Sequence, residues 1–158
     1  LPNVWLLLGG IGPQADVVAS YAARCPRINA LGWVPVDDVV SVVSAADVVY
    51  YGLDAQNPNS YYFMPNLAFT ALAVGRPLLT TPVGEIAEVV RAERCGVVMH
   101  APTAEAAIAA LDTLRDGALR ADLAAQARRL GRSRYNWSSA ATELLDAYNC
   151  TNIVKNCS

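Results

Sequence analysis

The sequence is poor in the residues that usually build metal centres and acid–base sites. Histidine occurs once, at His100, and the four cysteines show no Cys-x-x-Cys spacing. A zinc site needs three or four such ligands close together, so we predict no metal site. We interpret the cysteines as reduced thiols of a cytosolic protein, and His100 as a surface or packing residue at the end of a strand.

Charged residues and long apolar runs are also scarce. Only 16% of the 158 residues are charged and the formal net charge is -2, so the sequence offers no basic field for a nucleic-acid backbone. No apolar run approaches the roughly 20 residues that span a membrane, so we predict no transmembrane segment. The first residues, LPNVWLLLGG, lack a methionine and a positively charged region, unlike a signal peptide. We expect a fragment that begins inside a domain.

What the sequence does contain is an alternation of apolar, β-branched runs with helical patterns. The runs predict strands at 4–10, 28–34, 47–53, 77–81 and 96–100. The patterns predict helices at 13–24, 36–45, 65–74, 84–94, from 103 onward, 118–130 and 137–148. Five alternations predict an α/β fold, a Rossmann-like parallel β-sheet sandwiched by helices. We expect one domain over 1–148, an irregular tail over 149–158, and core positions for Trp5, Met64 and Trp137.

Ligands of such sheets bind beyond the carboxyl ends of the strands, which indicates three loops, at 9–13, 53–64 and 82–84. The middle loop, of about 12 residues, is long for a connection between a strand and a helix. Its sequence fits a functional loop and a solvated surface loop about equally well.

The first of these loops contains the pattern Gly-x-Gly-x-x-Ala directly after a strand, with Gly10 and Gly12 as its glycines. This pattern is the dinucleotide-binding fingerprint in its usual context. A nicotinamide site also needs an acid about 20 residues further on, whereas the second strand ends in the uncharged run GWVP. An NAD-binding oxidoreductase is therefore our third interpretation. The alternative for the two glycines is a tight turn that lets strand and helix pack closely.

The start of the third helix carries a different signal. Pro65, Asn66 and Leu67 place its N-terminus at the ligand edge, with free backbone N–H groups and the positive end of the helix dipole. Such an end suits a diphosphate without a metal ion, although every helix of this fold has one.

Four segments resemble, in their order and spacing, the nucleotide-binding domain of the retaining GT-B glycosyltransferases of group 1. They are LLLGGIGP, INALGWVPVDDVVSVVSAADVVYY, PNLAFTALAVGRPLLTTPVGEIAEVV and CGVVMHAPTAEAAIAAL. The resemblance covers about 4–148. It identifies 1–148 as a nucleotide-sugar (donor) binding domain that is truncated at its N-terminus.

The resemblance implies transfer of a sugar from a nucleotide-diphosphate sugar, which is the donor substrate, to an acceptor. The acceptor, a sugar or a lipid carrier, is held by a separate N-terminal domain, and no cofactor takes part. The parent is implied to be a retaining, metal-independent enzyme of polysaccharide biosynthesis. We expect it to be cytoplasmic, with peripheral attachment at the inner membrane face, and we expect the fragment alone to be inactive.

The implied donor contacts fall on both halves of the chain. In the family, the backbone after the second strand contacts the base, the start of the third helix takes the diphosphate, and a Glu one turn later holds the ribose. Glu88 matches a supporting position near the donor. No catalytic residue is assigned. The predicted donor-binding residues are Gly10, Gly12, Trp33, Val34, Asn66, Leu67, Thr70 and Glu88.

Two departures from the family pattern weaken the predicted site. The two carboxylates eight residues apart that mark the family fall on Tyr62 and Thr70, and the Lys of its Pro-Asn-Lys branch falls on Leu67. Threonine can accept a hydrogen bond, but it lacks the charge-assisted grip of a carboxylate, which is roughly twice as strong per bond. The alternative is therefore a non-catalytic nucleotide-binding or interaction module whose donor site has decayed.

Overall fold

The computed structural model describes residues 2–155, with side chains as far as Cys150. Within this range five short strands alternate with seven α-helices, and one 3-10 turn, Pro58–Tyr61, lies in the loop after the third strand. The strands are β1 (Leu6–Gly9), β2 (Ile28–Gly32), β3 (Val49–Tyr51), β4 (Leu78–Thr80) and β5 (Gly96–Val98). The helices are α1 (Ala15–Arg24), α2 (Val36–Ala45), α3 (Asn66–Val74), α4 (Gly84–Glu93), α5 (Ala104–Thr113), α6 (Gly117–Ser133) and α7 (Trp137–Lys155).

Local sequence explains where several helices begin and end. The hydroxyl of Thr103 accepts the N–H of Ala106 at 3.2 Å and caps α5, as its sequence predicts. The carboxylate of Asp116 accepts the N–H of Ala118 at 2.8 Å in front of α6. Helix α3 ends because Gly75 adopts a left-handed conformation, with φ of 68°, and turns its N–H back to the carbonyls of the last turn.

The chain forms two compact units, the N-terminal unit (Leu1–Ala46) and the C-terminal unit (Asp47–Ser158). In the N-terminal unit β1 and β2 form a parallel pair, with Leu6 opposite Ile28. Helix α1 packs on β2. Among the described residues of this unit only Val43 is buried.

The C-terminal unit contains the main hydrophobic core. Its three strands are parallel and lie in chain order, with β4 in the centre and Leu78 opposite both Val49 and Gly96. All three residues of β4 are buried. A cluster of buried hydrophobic side chains joins this sheet to α5 and α6. The largest fully buried side chains are Leu72, Pro77, Leu78, Leu79, Thr80, Ile86, Val90 and Cys95.

The predicted α/β class, with parallel strands flanked by helices, is confirmed. The strand pairing differs from the single predicted sheet, because the described strands form one two-stranded and one three-stranded sheet, one in each unit. Each strand is also shorter than its apolar run. Pairing needs a neighbouring strand at each position, and the hydrophobic pattern of one segment carries no information on its neighbour.

The C-terminal helix is longer than predicted. Helix α7 runs to Lys155, so residues 149–155 are helical and the prediction of an irregular tail there is wrong. No glycine or proline follows Tyr148 to end the helix. Residues 156–158 lie outside the described range. None of the described helices, α7 included, is long and apolar enough to cross a membrane.

The core positions predicted for two tryptophans are wrong. Trp5 is 62% exposed and Trp137 is 78% exposed, while Met64 is half-buried. Trp5 precedes β1 and Trp137 is the first residue of α7. A large aromatic side chain is buried only where a second element covers it.

Candidate functional site

The glycine loop of the N-terminal unit is a tight turn between β1 and α1. Gly10 has φ of 132°, a conformation that favours glycine, and its N–H donates to the carbonyl of Gly32 at 2.7 Å. The carbonyl of Gly12 accepts the N–H of Ala15 at 3.0 Å, where α1 begins. Both glycines are exposed, and nothing lies within 4 Å of where a Cβ would be at either one.

The same unit brings this loop next to the segment after β2. A Cβ at Gly9 would lie 3.0 Å from Cγ2 of Val34, so the ends of the two strands are in close contact. Val34 is half-buried, whereas the ring of Trp33 is 66% exposed. Gly10, Trp33 and Val34 therefore share the carboxyl edge of this two-stranded sheet.

In the C-terminal unit the long loop after β3 is fixed at several points. The hydroxyl of Thr81 accepts the N–H of Leu53 at 2.8 Å and donates to its carbonyl at 3.0 Å, which ties the loop to the end of β4. Ser60 is buried, and a Cβ at Gly84, where φ is 77°, would overlap the Ser60 carbonyl oxygen. The loop is thus held against the first residue of α4 before it enters α3 at Pro65.

The first turn of α3 has unoccupied backbone donors. Pro65 is buried at the N-cap and supplies no side-chain bond, and its carbonyl accepts the N–H of Ala68 at 2.9 Å. The N–H groups of Asn66 and Leu67 have no partner among the described residues. Asn66 is exposed and Leu67 half-buried. The positive end of the helix dipole and two free amides therefore coincide at these residues.

Thr70 lies one turn further along the same helix. Its Oγ1 donates to the backbone carbonyl of Asn66 at 3.2 Å, the bond that threonine often makes inside a helix. The hydroxyl proton is committed to this bond, and the oxygen keeps its capacity to accept. The half-buried Thr70 can therefore receive a hydrogen bond from a ligand hydroxyl but does not donate one in this conformation.

Glu88 lies on the second turn of α4. Its carboxylate Oε1 is 2.6 Å from Nη1 of Arg91, and its side chain is 75% exposed. A pair three residues apart on a helix is a common surface arrangement, worth a few tenths of a kcal/mol. Glu88 thus stands on the solvent side of α4 with one carboxylate oxygen already paired.

An open cavity of about 570 Å³ lies at the carboxyl edge of the three-stranded sheet, where the start of the predicted loop 53–64 lines it together with residues that were not predicted. None of the eight predicted donor-binding residues lines it. Its polar groups are largely engaged, since Thr81 bonds to Leu53 and Thr103 caps α5. The lining comes from separate segments, which no local pattern links. It includes Tyr50, Leu53, Asp54, Thr81, Met99 and Thr103.

The predicted residues thus fall into separate groups. The N-terminal unit holds Gly10 and Gly12 beside the pair Trp33 and Val34, and α3 holds the other main group in consecutive turns. Glu88 stands apart on α4. Sequence reasoning missed the contact of Gly84 with Ser60, although a glycine directly before a helical run is a recognisable sign of close backbone approach.

The parallel strands, crossover helices and ligand-edge loops define a Rossmann-like α/β fold. The family described as glycosyl transferases, group 1, matches residues 2–116, well over half of the sequence. The chain belongs to this glycosyltransferase family.

Individual relatives agree with this assignment. The chain is 23% identical over 150 residues to an uncharacterized glycosyltransferase of Methanocaldococcus jannaschii, covering 92% of this chain and 37% of that protein. It is similar to the structure of sucrose-phosphate synthase from Thermosynechococcus elongatus, with a TM-score of 0.78, 22% identity, and coverage of 98% of this chain and 40% of the other. It is also similar to Anabaena HepE in complex with UDP, with a TM-score of 0.78, 18% identity, and coverage of 95% and 42%.

These likenesses confirm the predicted fold, that of the GT-B glycosyltransferases. The chain spans only 37% to 42% of the length of these relatives.

Proposed function

We propose that this chain is the donor-binding half of a glycosyltransferase and binds the diphosphate of a nucleotide sugar at the first turn of α3. The observation that carries the proposal is the pair of unpartnered N–H groups at Asn66 and Leu67, at the positive end of the helix. Backbone amides and a helix dipole stabilise a diphosphate without a metal ion. The structural likeness to HepE, which is known in complex with UDP, supports this choice of ligand.

We propose the remaining donor contacts for each unit by itself. The exposed ring of Trp33 and the neighbouring backbone of Val34 offer a surface for the base, and the open space around Gly10 and Gly12 admits a ligand close to the backbone. Thr70 accepts a single hydrogen bond from a ribose hydroxyl. Glu88 has a supporting role, which requires it to leave Arg91.

The activity of the full-length protein is part of the proposal. A second domain holds the acceptor, a sugar or a lipid carrier, and transfer retains the configuration of the donor sugar without a metal ion. We place the parent in the cytoplasm, with peripheral attachment at the inner membrane face, as an enzyme of polysaccharide biosynthesis. Because the acceptor side is separate, we expect this chain alone to bind the donor and not to catalyse transfer.

Calorimetric titration tests the proposal. The chain is titrated with UDP, GDP, ADP and NAD, with and without Mg²⁺, and each titration is repeated on Thr70→Glu. The matched control is Thr142→Glu, because Thr142 also donates to a carbonyl four residues earlier, Ser138 O at 3.0 Å, early in another helix. Restoring the carboxylate at 70 adds a charge-assisted bond, so we expect affinity to rise by about fivefold to tenfold.

The proposal predicts binding of one nucleoside diphosphate, equally well without Mg²⁺, tightened by Thr70→Glu and unchanged by Thr142→Glu. Binding that requires Mg²⁺ would contradict metal independence while leaving the site in place. Binding of NAD alone would replace the proposal with a dinucleotide site at Gly10 and Gly12.

A second candidate is a non-catalytic module with a decayed donor site. The observation in its favour is that Leu67 is uncharged and the Thr70 hydroxyl proton is turned to the backbone. Failure of both the wild type and Thr70→Glu to bind any nucleotide would favour this candidate over a live site.

A further inference from the structure

Helix α6 and the residues directly after it lie along α3, and three of their contacts follow the length of α3 in order. Arg128, Gly131 and Tyr135, which we call the brace residues, meet α3 at Val74, Leu72 and Phe69 respectively. As the numbers rise on one side they fall on the other, so the two segments run in opposite directions. The last of these contacts adjoins Thr70.

Gly131 allows the closest approach of the two backbones. A Cβ at this buried position would lie 2.7 Å from both the carbonyl carbon and the carbonyl oxygen of Leu72. Because Leu72 is itself fully buried, its backbone has no free space into which to move. The position of α3 relative to α6 is therefore fixed within a fraction of an ångström at this level.

Arg128 holds the C-terminal end of α3. Its Nη2 donates to the carbonyl of Val74 at 2.9 Å, and its side chain covers Gly75, where a Cβ would lie 2.7 Å from Nε. A cation at the negative end of a helix dipole is favourable, and the bond occupies a carbonyl that has no partner within the helix. The last turn of α3 is thus capped by α6.

Tyr135 reaches the part of α3 that matters for the ligand. Its ring centroid is 6.2 Å from that of Phe69, with the planes tilted by 48°, a favourable aromatic arrangement. Phe69 lies between Leu67 and Thr70, two of the predicted donor-binding residues. The contact with α3 therefore lies within one turn of the free amides.

Helix α6 and its C-cap residue Arg134 also hold α4. Nε2 of Gln126 donates to the carbonyl of Glu93 at 2.9 Å, and Nη1 of Arg134 lies 2.6 Å from the carboxylate of Glu93. Helices α3 and α4 are thus both held near their C-terminal ends by α6. An α-helix transmits an axial shift along its length, because its hydrogen bonds fix a rise of about 1.5 Å per residue.

We propose that α6 and the segment directly after it set the position of the first turn of α3, and that Gly131 and Tyr135 are positioning residues for the donor site. This inference rests on the proposed function for its consequence in binding, but not for its structural content. A displacement of the free amides at Asn66 and Leu67 misplaces the donors for a diphosphate. Misplacement by about 1 Å can reduce the efficiency of a site by up to a hundredfold.

The test uses Gly131→Ala with Gly117→Ala as its matched control. Both glycines lie in α6, but a Cβ at Gly117 meets nothing within 4 Å. The first measurement is the amide chemical shifts of residues 66–68 in the free chain. The second is the affinity for UDP by calorimetry. We expect Gly131→Ala to shift these amides and to weaken UDP binding by about tenfold, while Gly117→Ala changes neither.

The aromatic contact provides a second, milder variant. Tyr135→Leu should shift the same amides and weaken UDP binding. Tyr135→Phe, which keeps the ring, should leave both the amide shifts and the affinity as they are in the wild type. If Gly131→Ala does not fold, the Tyr135 pair decides alone. Unchanged amides at 66–68 in a folded Gly131→Ala or Tyr135→Leu chain would overturn the inference. Shifted amides in a chain whose wild type does not bind UDP would support the brace and refute the proposed function.

Discussion

The two units have the same kind of sequence but differ sharply in burial. In the N-terminal unit Val17 and Tyr21 of α1 are 53% and 56% exposed, although the periodicity of α1 places them on one apolar face. In the C-terminal unit Ile86 of α4 is fully buried, as is the whole of β4. The periodicity of a helix shows which of its faces is apolar. Whether that face is buried depends on what packs against it.

One leucine in each sheet tests this difference most strongly. Leu78 in β4 is fully buried, whereas Leu7 in β1 is 40% exposed. We expect Leu78→Ala to lower the free energy of unfolding by about 2–5 kcal/mol, because it leaves a cavity in a packed core. Leu7→Ala should cost less than about 1 kcal/mol. Urea unfolding followed by circular dichroism measures both, and equal losses would contradict the contrast in burial.

Two glycines with similar φ angles, one in each unit, differ in what surrounds them. Gly84 in the C-terminal unit has φ of 77° and Gly32 in the N-terminal unit has φ of 64°, but only Gly84 faces another backbone, at Ser60. Alanine at either position pays roughly 1–2 kcal/mol for the left-handed conformation. At Gly84 the overlap with Ser60 adds to this, so we expect the larger loss there. Thermal unfolding of both variants measures the difference. Equal losses of stability would mean that the loop carrying Ser60 moves away from Gly84→Ala without destabilising the chain.

The N-terminal caps of two helices predict a smaller effect. Thr103 caps α5 through its hydroxyl, whereas Gln14 precedes α1 without a side-chain bond. We expect Thr103→Ala to cost about 1 kcal/mol of unfolding free energy and Gln14→Ala less than about 0.5 kcal/mol. Thr103→Ser, which keeps the hydroxyl, serves as the control. A loss in Thr103→Ser as large as in Thr103→Ala would show that the hydroxyl is not the stabilising group.

The smallest expected effect appears only at alkaline pH. Burial raises the pKa of the Cys95 thiol from 9.0 to about 11, so the folded chain holds this proton more tightly than the unfolded chain. The contribution of this thiol to the free energy of unfolding is therefore fully present below pH 9 and is lost as the pH rises to about 11. Burial also raises the pKa of Tyr135, which acts in the same direction.

We therefore expect the midpoint temperature of thermal unfolding to decrease as the pH rises from 9 to 11. The decrease should be less steep in Cys95→Ala. Part of the slope should remain in the variant, because Tyr135 is still present. Parallel pH profiles of the wild type and the variant would rule out the contribution of the thiol.

Much of the fold could be predicted from particular residues. Asp37 and Asp38 mark the first turn of α2, whose bounds match the structure, and Pro65 and Gly75 bracket α3 correctly. These signals are local, so the sequence carries them in full. The extent of α7 was underestimated because the absence of a stop signal is weaker evidence than its presence.

The site was less accessible to sequence reasoning. The bond of the Thr70 hydroxyl to Asn66 depends on a rotamer, which the sequence does not encode locally. The pair of Glu88 and Arg91 could have been read from its spacing of three on a helix. The contact of α6 with α3 was not predictable, because Gly131 and Leu72 lie far apart in the chain and a glycine inside a helix has no single meaning.

The strand order of the C-terminal unit has a consequence for folding. Because β3, β4 and β5 lie side by side in chain order, each strand meets its partner after a single intervening helix. Contacts that are close in sequence form faster than distant ones, since less loop entropy is lost before they form. The sheet can therefore grow one strand at a time in the direction of synthesis. The contacts of α6 with α3 and α4 form after these two helices are made, because α6 leaves the ribosome last of the three.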